Sequence, residues 1–249
     1  MDVWLYELIH RGNPRDVDFY QSACTGTERV LELGCGTGRI LLPLAKAGFQ
    51  ITGLDIHPEM LARIESRLDS QLATNVSLVE ADMRTFQIES SFERILIPYS
   101  GLFALESDPE VHACLEQVRE HLAPNGRLYF DTYVVREDEI KEVLEPEPEF
   151  THTATIWEGG RRVDVEEQAL PAPGERNLHI HYRYQIHEAD GQESRRVEQM
   201  IRHHFLTPTG LRRAVSAAGL TITAEWGDFR GGTAHDEANH FILCARRTA

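Results

Sequence analysis

The chain has 249 residues, of which 41% are hydrophobic and 26% are charged, so it is long enough to bury a substantial core. Its formal net charge of −15, with no stretch of clustered basic and aromatic residues, disfavours nucleic acid as a partner. Because no apolar run approaches the roughly 20 residues that span a bilayer, and the start "MDVWLYELIH" lacks the features of a signal peptide, we expect a cytoplasmic protein without a membrane partner.

From Val30 onward, short apolar runs alternate with segments of helical length. In chain order these are "VLEL", "RILLPLAKAG", "QITGLDI", "PEMLARIESRLDSQL" and "VSLVEAD". This alternation is typical of βαβ units and a mostly parallel sheet. The apolar spacing predicts a helix from about Pro58 to Leu72. Pro43 predicts a kink in the preceding helix, because it lies beyond the first turn that the pattern assigns to that helix.

The α/β pattern continues, and the spacing of apolar residues then changes. "ERILIPYS" and "LYFDTYVV" predict two further strands, with the helix "DPEVHACLEQVREHL" between them. In "LHIHYRYQIH", apolar and polar residues then alternate, which is typical of antiparallel strands. Turn-forming residues flank this run, so we predict a small antiparallel sheet over residues 151–206. A helix from about Pro208 to Ala218 and the strands "LTITAEW" and "HFILCARR" resume the α/β pattern.

The stretch "LELGCGTGRI" places Gly34, Gly36 and Gly38 directly after an apolar strand. A phosphate-binding P-loop requires Lys and then Ser or Thr after the last glycine, whereas here Arg39 is followed by Ile40. A dinucleotide-binding loop requires two residues between its second and third glycines, and here a single residue separates them. The glycines therefore predict that the backbone closely approaches a ligand that neither of these two loops binds.

Acidic residues stand at three successive strand ends, namely Glu32, Asp55 and Asp82. In open α/β sheets, such positions converge on the crevice that binds ligands. An adenosine joined to a cationic group without phosphate suits this crevice. The Asp55 carboxylate can accept two hydrogen bonds from a ribose diol, and Asp82 can accept one from the adenine amino group. The Met83 amide can reach a ring nitrogen, while the glycines admit the amino-acid end of the ligand.

Through "VLELGCGTG", "GLDIHPEML" and "EADMRTF", in this order and spacing, the chain resembles the class I S-adenosylmethionine-dependent methyltransferases over nearly its whole length. The resemblance implies an α/β fold with a Rossmann-like seven-stranded sheet flanked by helices, and S-adenosylmethionine as cofactor. It divides the chain into an N-terminal lid helix and cofactor-binding core (1–150), the antiparallel insertion on the substrate side or at an oligomer contact (151–206), and the completion of the core (207–249). The expected cofactor-binding residues are Tyr6, Arg11, Glu32, Gly34, Gly36, Gly38, Asp55, Ile56, Asp82, Met83 and Pro98.

A narrower resemblance comes from the insertion, the N-terminal "YELIHRG" and the ending "AAGLTITAEW". These features are similar to small bacterial methyltransferases that include amino-sugar N,N-dimethyltransferases and N-terminal methyltransferases of peptide natural products, with glycine N-methyltransferases more distant. In these enzymes an N-terminal tyrosine closes over the methionine end of the cofactor, which corresponds to Tyr6, and Arg11 would pair with the cofactor carboxylate. Glu7 stands where the group commonly has Asp. The alternative for Tyr6 is simple packing on one face of an amphipathic helix.

Methyl transfer is an in-line displacement, so the enzyme mainly aligns the reactants and excludes water. An amine acceptor must first lose a proton, because an alkylammonium with a pKa near ~10 has no free lone pair. The candidate catalytic residues, chosen by position, are Tyr99, Asp131, Tyr133, His203 and His204. For the two histidines the alternative is a solvated or packed sheet face. The loop "IPYSG" departs from the Asn/Asp-Pro-Pro-Tyr signature of nucleobase and glutamine N-methyltransferases, which disfavours those acceptors.

The four cysteines are widely spaced, so we predict that their thiols are reduced. The histidines near positions 179–204 have no acidic partner at short spacing, so we predict no metal site. The sequence thus favours transfer of a methyl group to a small-molecule amine. The alternatives are an O- or C-methyltransferase of a secondary metabolite, and a non-catalytic cofactor-binding module that uses the insertion to bind a partner. We expect a monomer or a homodimer.

Overall fold

A computed structural model describes residues 2–188, 195–235 and 238–248. They form two compact units. The first, here the α/β unit, comprises residues 2–102, 107–134 and 207–248. The second, here the β unit, comprises Phe103–Glu106 and Val135–Leu206. Among the described residues, no helix is long and apolar enough to cross a membrane.

The helices of the described chain are α1 (Val3–Ile9), α2 (Asp16–Ala23), α3 (Leu41–Lys46), α4 (Pro58–Glu65), α5 (Asp108–His121), α6 (Ile140–Val143) and α7 (Pro208–Ala217), with 3₁₀ turns at Leu72–Thr74 and Gly101–Ala104. The strands are β1 (Arg29–Leu33), β2 (Gln50–Asp55), β3 (Val76–Glu80), β4 (Phe92–Ile97), β5 (Leu122–Tyr133), β6 (Thr151–Glu158), β7 (Arg161–Pro171), β8 (Asn177–His187), β9 (Arg195–His204), β10 (Leu220–Trp226) and β11 (His240–Arg247).

The α/β unit contains a seven-stranded sheet in the order β10-β11-β5-β4-β1-β2-β3. β1 pairs in parallel with β2 and β4, whereas β11 is antiparallel to both β5 and β10. The strand order reverses between β1 and β4, and open α/β sheets bind ligands at such a point, beyond the carboxyl ends of the strands. Flanking helices bury the sheet, so the central strands are apolar almost throughout, as Val30, Leu31 and Leu33 illustrate. The predicted sheet is confirmed.

The β unit contains a separate antiparallel sheet in the order β6-β7-β8-β9. The alternation predicted for β8 is present, because Leu178, Tyr184 and Ile186 are buried and their polar neighbours are not. Val163 and Val165 of β7 pair with Ile186 and Tyr184, so both strands present apolar residues to the same face. The predicted antiparallel sheet is therefore confirmed, whereas its predicted role stays a prediction.

Two local predictions were wrong, and one helix was not predicted. α3 begins only at Leu41, so Pro43 lies in its first turn, where a proline is tolerated without a kink. α4 ends at Glu65, about two turns before Leu72, and a 3₁₀ turn begins at Leu72. The sequence pattern did not predict α2, because its apolar residues are too few to mark a clear face.

Candidate active site

The glycine loop leaves β1 with Gly34, Gly36 and Gly38 in the left-handed region, at φ of 67°, 52° and 84°. A backbone bond from the amide of Cys35 to the Leu54 carbonyl, at 3.0 Å, holds the loop beside the end of β2. A methyl group at Gly36 would lie 3.2 Å from the hydroxyl oxygen of Tyr6. The loop therefore needs glycine at this position both for its backbone conformation and for its contact with α1.

Asp55 ends β2 and fixes the loops on both sides of it. Its Oδ2 accepts the amide proton of Gly36 at 2.8 Å, and its Oδ1 accepts that of His57 at 3.0 Å. The carboxylate is 8% exposed. The next residue, Ile56, is 53% exposed, so an open apolar surface lies beside the carboxylate.

Beyond β3, Asp82 and Met83 face different partners. The Asp82 carboxylate accepts hydrogen bonds from the Arg84 guanidinium through both oxygens and from the Arg84 amide at 2.8 Å. This partner lowers the pKa of Asp82 below its usual value. Arg84 also contacts Glu110 at 2.5 Å, so it bridges two carboxylates. The Met83 methyl group would lie 3.4 Å from a Cβ at Gly34, which brings the loop after β3 against the glycine loop.

Glu32 is a buried carboxyl group on β1, only 3% exposed. Burial raises its pKa to about 8, while Arg39 and a hydrogen bond from the Leu41 amide oppose the shift. Within the described part of the chain its Oε2 is buried without a hydrogen-bond partner. Buried polar atoms are nearly always paired, so this oxygen suits a donor supplied by a ligand.

Arg39, directly after the glycine loop, forms an ion pair with Asp16 at 2.5 Å. Its guanidinium also lies 5.1 Å from the centre of the Tyr99 ring. Asp16 in turn accepts the Asn13 amide at 2.9 Å. Sequence analysis missed this pair, although the single basic residue after the glycines was a signal. The pair ties α2, the glycine loop and the loop after β4 together.

Tyr99, Asp131 and Tyr133, three of the predicted catalytic residues, lie close together. Asp131 Oδ1 accepts the Tyr20 hydroxyl at 2.5 Å and the Tyr99 amide at 2.8 Å. The Tyr133 amide donates to the Ser100 hydroxyl at 3.1 Å. Tyr99 and Ser100 both have left-handed backbones, at φ of 55° and 57°, which these bonds hold in place. Burial raises the pKa of Asp131 to about 6.

Histidines 203 and 204 belong to the β unit, whereas the other three candidates belong to the α/β unit. His204 Nδ1 lies 2.6 Å from Asn177 Oδ1, and the side chain is 5% exposed. His203 contacts Phe103 edge to face, with ring centres 6.4 Å apart. Both residues line a cavity of about 230 Å³ within the β unit, together with Leu105, Glu106, Ala172, Pro173, Asn177, Leu178, His179 and Arg202. No set of three His, Cys, Asp or Glu in the described residues is arranged to hold a metal.

The N-terminal helix α1 brings Tyr6 to the glycine loop. The Tyr6 ring stacks on His10, with ring centres 4.0 Å apart and 12° between the planes. Burial raises the pKa of Tyr6 to about 12. Glu7 pairs with Arg67 at 2.6 Å and with Arg63 at 2.9 Å, which fastens α1 to α4.

Two further predicted cofactor residues make backbone contacts. Arg11 Nε donates to the Leu8 carbonyl at 2.9 Å at the end of α1. The Pro98 carbonyl, just after β4, accepts the Gly101 amide at 3.1 Å. Neither contact tests the roles predicted for these residues, so both stay predictions.

Residues 30–126 match the family described as "Methyltransferase domain". A methyltransferase of Geobacillus sp. (strain WCH70) is 33% identical over 43% of this chain and 43% of its own. A dTDP-3-amino-3,6-dideoxy-alpha-D-glucopyranose N,N-dimethyltransferase of Streptomyces fradiae is 24% identical over 88% of this chain and 83% of its own. Among solved structures, SAM-bound CalS10, an amino pentose methyltransferase from Micromonospora echinaspora, superposes with a TM-score of 0.74 at 24% identity, covering 100% and 98% of the two chains.

The chain spans less than half the length of several curated relatives that it matches. The matched segment, 30–126, includes the glycine loop, Asp55 and Asp82, the positions on which the resemblance was based. The predicted resemblance to methyltransferases is confirmed, as is the methyltransferase fold.

Proposed function

We propose that this chain, in which residues 30–126 are a methyltransferase domain, transfers a methyl group from S-adenosylmethionine to an amine nitrogen of a small molecule. The observation that carries the proposal is the convergence of the glycine loop, Asp55 and Met83 at the carboxyl ends of β1, β2 and β3. This is where open α/β sheets bind their ligands.

The residues at these strand ends fit the proposed cofactor. The ribose diol can share the Asp55 oxygens, and the exposed side chain of Ile56 offers an apolar surface to the adenine. The buried Oε2 of Glu32 suits the ammonium of the methionine end. S-adenosylmethionine supplies a methyl group on a positively charged sulfur, and the chain's own residues orient the acceptor and exclude water.

The contacts of Asp82 restrict its predicted role as an acceptor for the adenine amino group. Its carboxylate is engaged by Arg84, so accepting the adenine amino group requires an oxygen to be shared or the guanidinium to shift. The Met83 amide is the second contact that we propose for the adenine ring. We retain Tyr6, Arg11, the glycines and Pro98 as proposed contacts of the cofactor.

An amine acceptor is supported by the relative and the solved structure reported above, which are named for amino sugars. The acidic character of the chain also favours a cationic acceptor. An oxygen acceptor is the second candidate, because a ubiquinone biosynthesis O-methyltransferase of Hydrogenovibrio crunogenus is 27% identical over 59% of this chain and 64% of its own. We further propose that the β unit contributes to acceptor recognition. A cytoplasmic location, the absence of a nucleic-acid partner and a monomeric or homodimeric state stay predictions.

The test compares acceptors that differ in one atom. A nucleotide-linked 3-amino-deoxyhexose and its 3-hydroxy counterpart would each be incubated with methyl-labelled S-adenosylmethionine, and the products would be analysed by mass. We expect label only with the amine. Label only with the hydroxyl compound would establish the O-methyltransferase alternative, and cofactor binding without transfer across a broad acceptor panel would support a non-catalytic module.

A further inference from the structure

The guanidinium of Arg39, between the glycine loop and α3, uses only part of its hydrogen-bonding capacity. Its Nη1 donates to Asp16 at 2.5 Å, and its central carbon lies 5.1 Å from the centre of the Tyr99 ring. Within residues 2–188, 195–235 and 238–248, the structure gives Nε and Nη2 no partner. The side chain is 23% exposed, so part of the group is open to a ligand.

Neighbouring side chains show that this guanidinium lies at the glycine loop. Burial raises the pKa of Tyr6, Glu32 and Tyr99, and the nearby positive charge of the guanidinium opposes the shift in each. The Tyr6 hydroxyl oxygen is the atom that a methyl group at Gly36 would meet at 3.2 Å. The charge of Arg39 therefore acts where we propose that the methionine end of the cofactor binds.

The unpartnered donors of Arg39 suit a second carboxylate. A guanidinium can bind two carboxylates at once, as Arg84 does with Asp82 and Glu110. The ion pair with Asp16 takes Nη1 of Arg39, and the edge formed by Nε and Nη2 matches both oxygens of a carboxylate. Asp16 is 3% exposed, so this buried pair also fixes the direction of the guanidinium.

The methionine end of S-adenosylmethionine carries a carboxylate and an ammonium on the same carbon atom. The unpartnered Oε2 of Glu32 suits the ammonium, and the carboxylate requires a cation beside it. Arg11 is the residue to which the resemblance assigns that role, but its Nε already donates to the Leu8 carbonyl at 2.9 Å. In the described part of the chain, the corresponding edge of Arg39 has no such partner.

We infer that Arg39 binds the carboxylate at the methionine end of S-adenosylmethionine through Nε and Nη2. Asp16 is then a positioning residue, which holds the guanidinium from its Nη1 side. Together with Glu32, Arg39 gives each charged group of the amino acid a partner of opposite sign. The inference rests on the proposed function, because it names the cation of that same cofactor site, but its test requires no methyl transfer.

Two ligands that differ in the carboxylate test this assignment. S-adenosylmethionine and its decarboxylated form, S-adenosyl-3-methylthiopropylamine, are titrated by calorimetry into wild type and into Arg39→Gln. We expect wild type to bind S-adenosylmethionine about 10- to 100-fold more tightly than the decarboxylated form, because the latter lacks the charge-assisted hydrogen bonds. Arg39→Gln should bind the two ligands with equal affinity.

Arg212→Gln is the matched control, because Arg212 also forms an ion pair and lies over an aromatic ring. It contacts Glu225 at 2.8 Å, and its guanidinium lies 5.0 Å from the centre of the Phe241 ring. This variant should keep the wild-type preference for S-adenosylmethionine. An equal loss of the preference in Arg212→Gln would overturn the assignment to Arg39.

Arg39→Gln leaves the buried Asp16 without its cation, which costs stability. The double variant Asp16→Asn, Arg39→Gln removes both charges and is titrated in parallel. A preference that survives in either of these variants, or that Arg11→Gln abolishes, would overturn the inference, and so would a wild type that binds both ligands equally. A wild type that binds neither ligand would instead refute the proposed function.

Discussion

Replacing Glu32 with Gln tests whether the buried carboxyl group is the partner of the cofactor ammonium. The wild-type group has a pKa raised to about 8 by burial, so it is mostly protonated at neutral pH. An ammonium placed beside its unpartnered Oε2 would stabilise the charged form and lower that pKa. Cofactor binding should therefore expel a proton. Gln has the same shape and can accept the Leu41 amide, but it cannot ionise.

The expected size follows from the titration of the group. With a pKa of about 8, about nine in ten molecules carry the Glu32 proton at pH 7. If bound cofactor returns the pKa of Glu32 to its ordinary value of 4.5, almost all of that proton is released. The cofactor's own α-amino group, with a pKa near ~8, takes up about a tenth of a proton when it binds as an ammonium. The net release is then about 0.8 proton per cofactor.

Titration calorimetry in two buffers with different ionisation enthalpies measures this number, because the slope of binding enthalpy against buffer enthalpy is the number of protons exchanged. We expect about 0.8 proton released by wild type and about 0.1 taken up by Glu32→Gln. Equal slopes for the two proteins would show that Glu32 is not the group that meets the ammonium.

The other predictions concern stability and the glycine loop. Because the folded pKa of Glu32 lies near 8 and its ordinary value is 4.5, the wild-type free energy of unfolding should fall by ~4 kcal/mol between pH 4.5 and 8. Glu32→Gln should lack this component. If the free energies of unfolding of the two proteins, measured by denaturant titration, change with pH in the same way, the prediction is wrong. Asp55→Asn should weaken S-adenosylmethionine binding by at least ~1 kcal/mol, because a hydrogen bond from the ribose is lost. Asp69→Asn also removes a carboxylate that accepts backbone amides, but it should leave the affinity unchanged. Equal affinities of the two variants in calorimetry would remove Asp55 from the site. Gly36→Ala should destabilise the protein by more than Gly26→Ala, because both residues have positive φ but only a methyl group at position 36 would contact Tyr6. Thermal unfolding should show free energies of unfolding that differ by about 1 kcal/mol or more between the two variants. Equal free energies of unfolding would show that the contact with Tyr6 does not matter.

The fold was predictable where apolar and polar residues alternate with a regular spacing. β10 and β11 begin and end with the predicted strands "LTITAEW" and "HFILCARR", because alternation and a glycine before β10 mark them. The limits of α3 and α4 were not predictable, since the glycine turns delay the start of α3 and local apolar spacing continues beyond the end of α4.

The backbone of the site was more predictable than its side-chain partners. Acids at the ends of parallel strands lie near one another because of the topology, which is visible in the sequence. The pairs Arg39–Asp16 and Arg84–Asp82 depend on where long side chains reach, which local patterns do not specify. The stacking of Tyr6 on His10 was predictable from the sequence, because the two residues are four apart on a helix and so share a face.

The most direct test of the central claim is an experimental structure of the chain with S-adenosylhomocysteine, the product form of the cofactor. The account predicts the ribose diol on Asp55, the adenine on Ile56 and the ammonium within hydrogen-bond distance of Glu32 Oε2. A ligand bound away from the ends of β1, β2 and β3, or one whose ammonium faces the opposite side of the glycine loop, would contradict it.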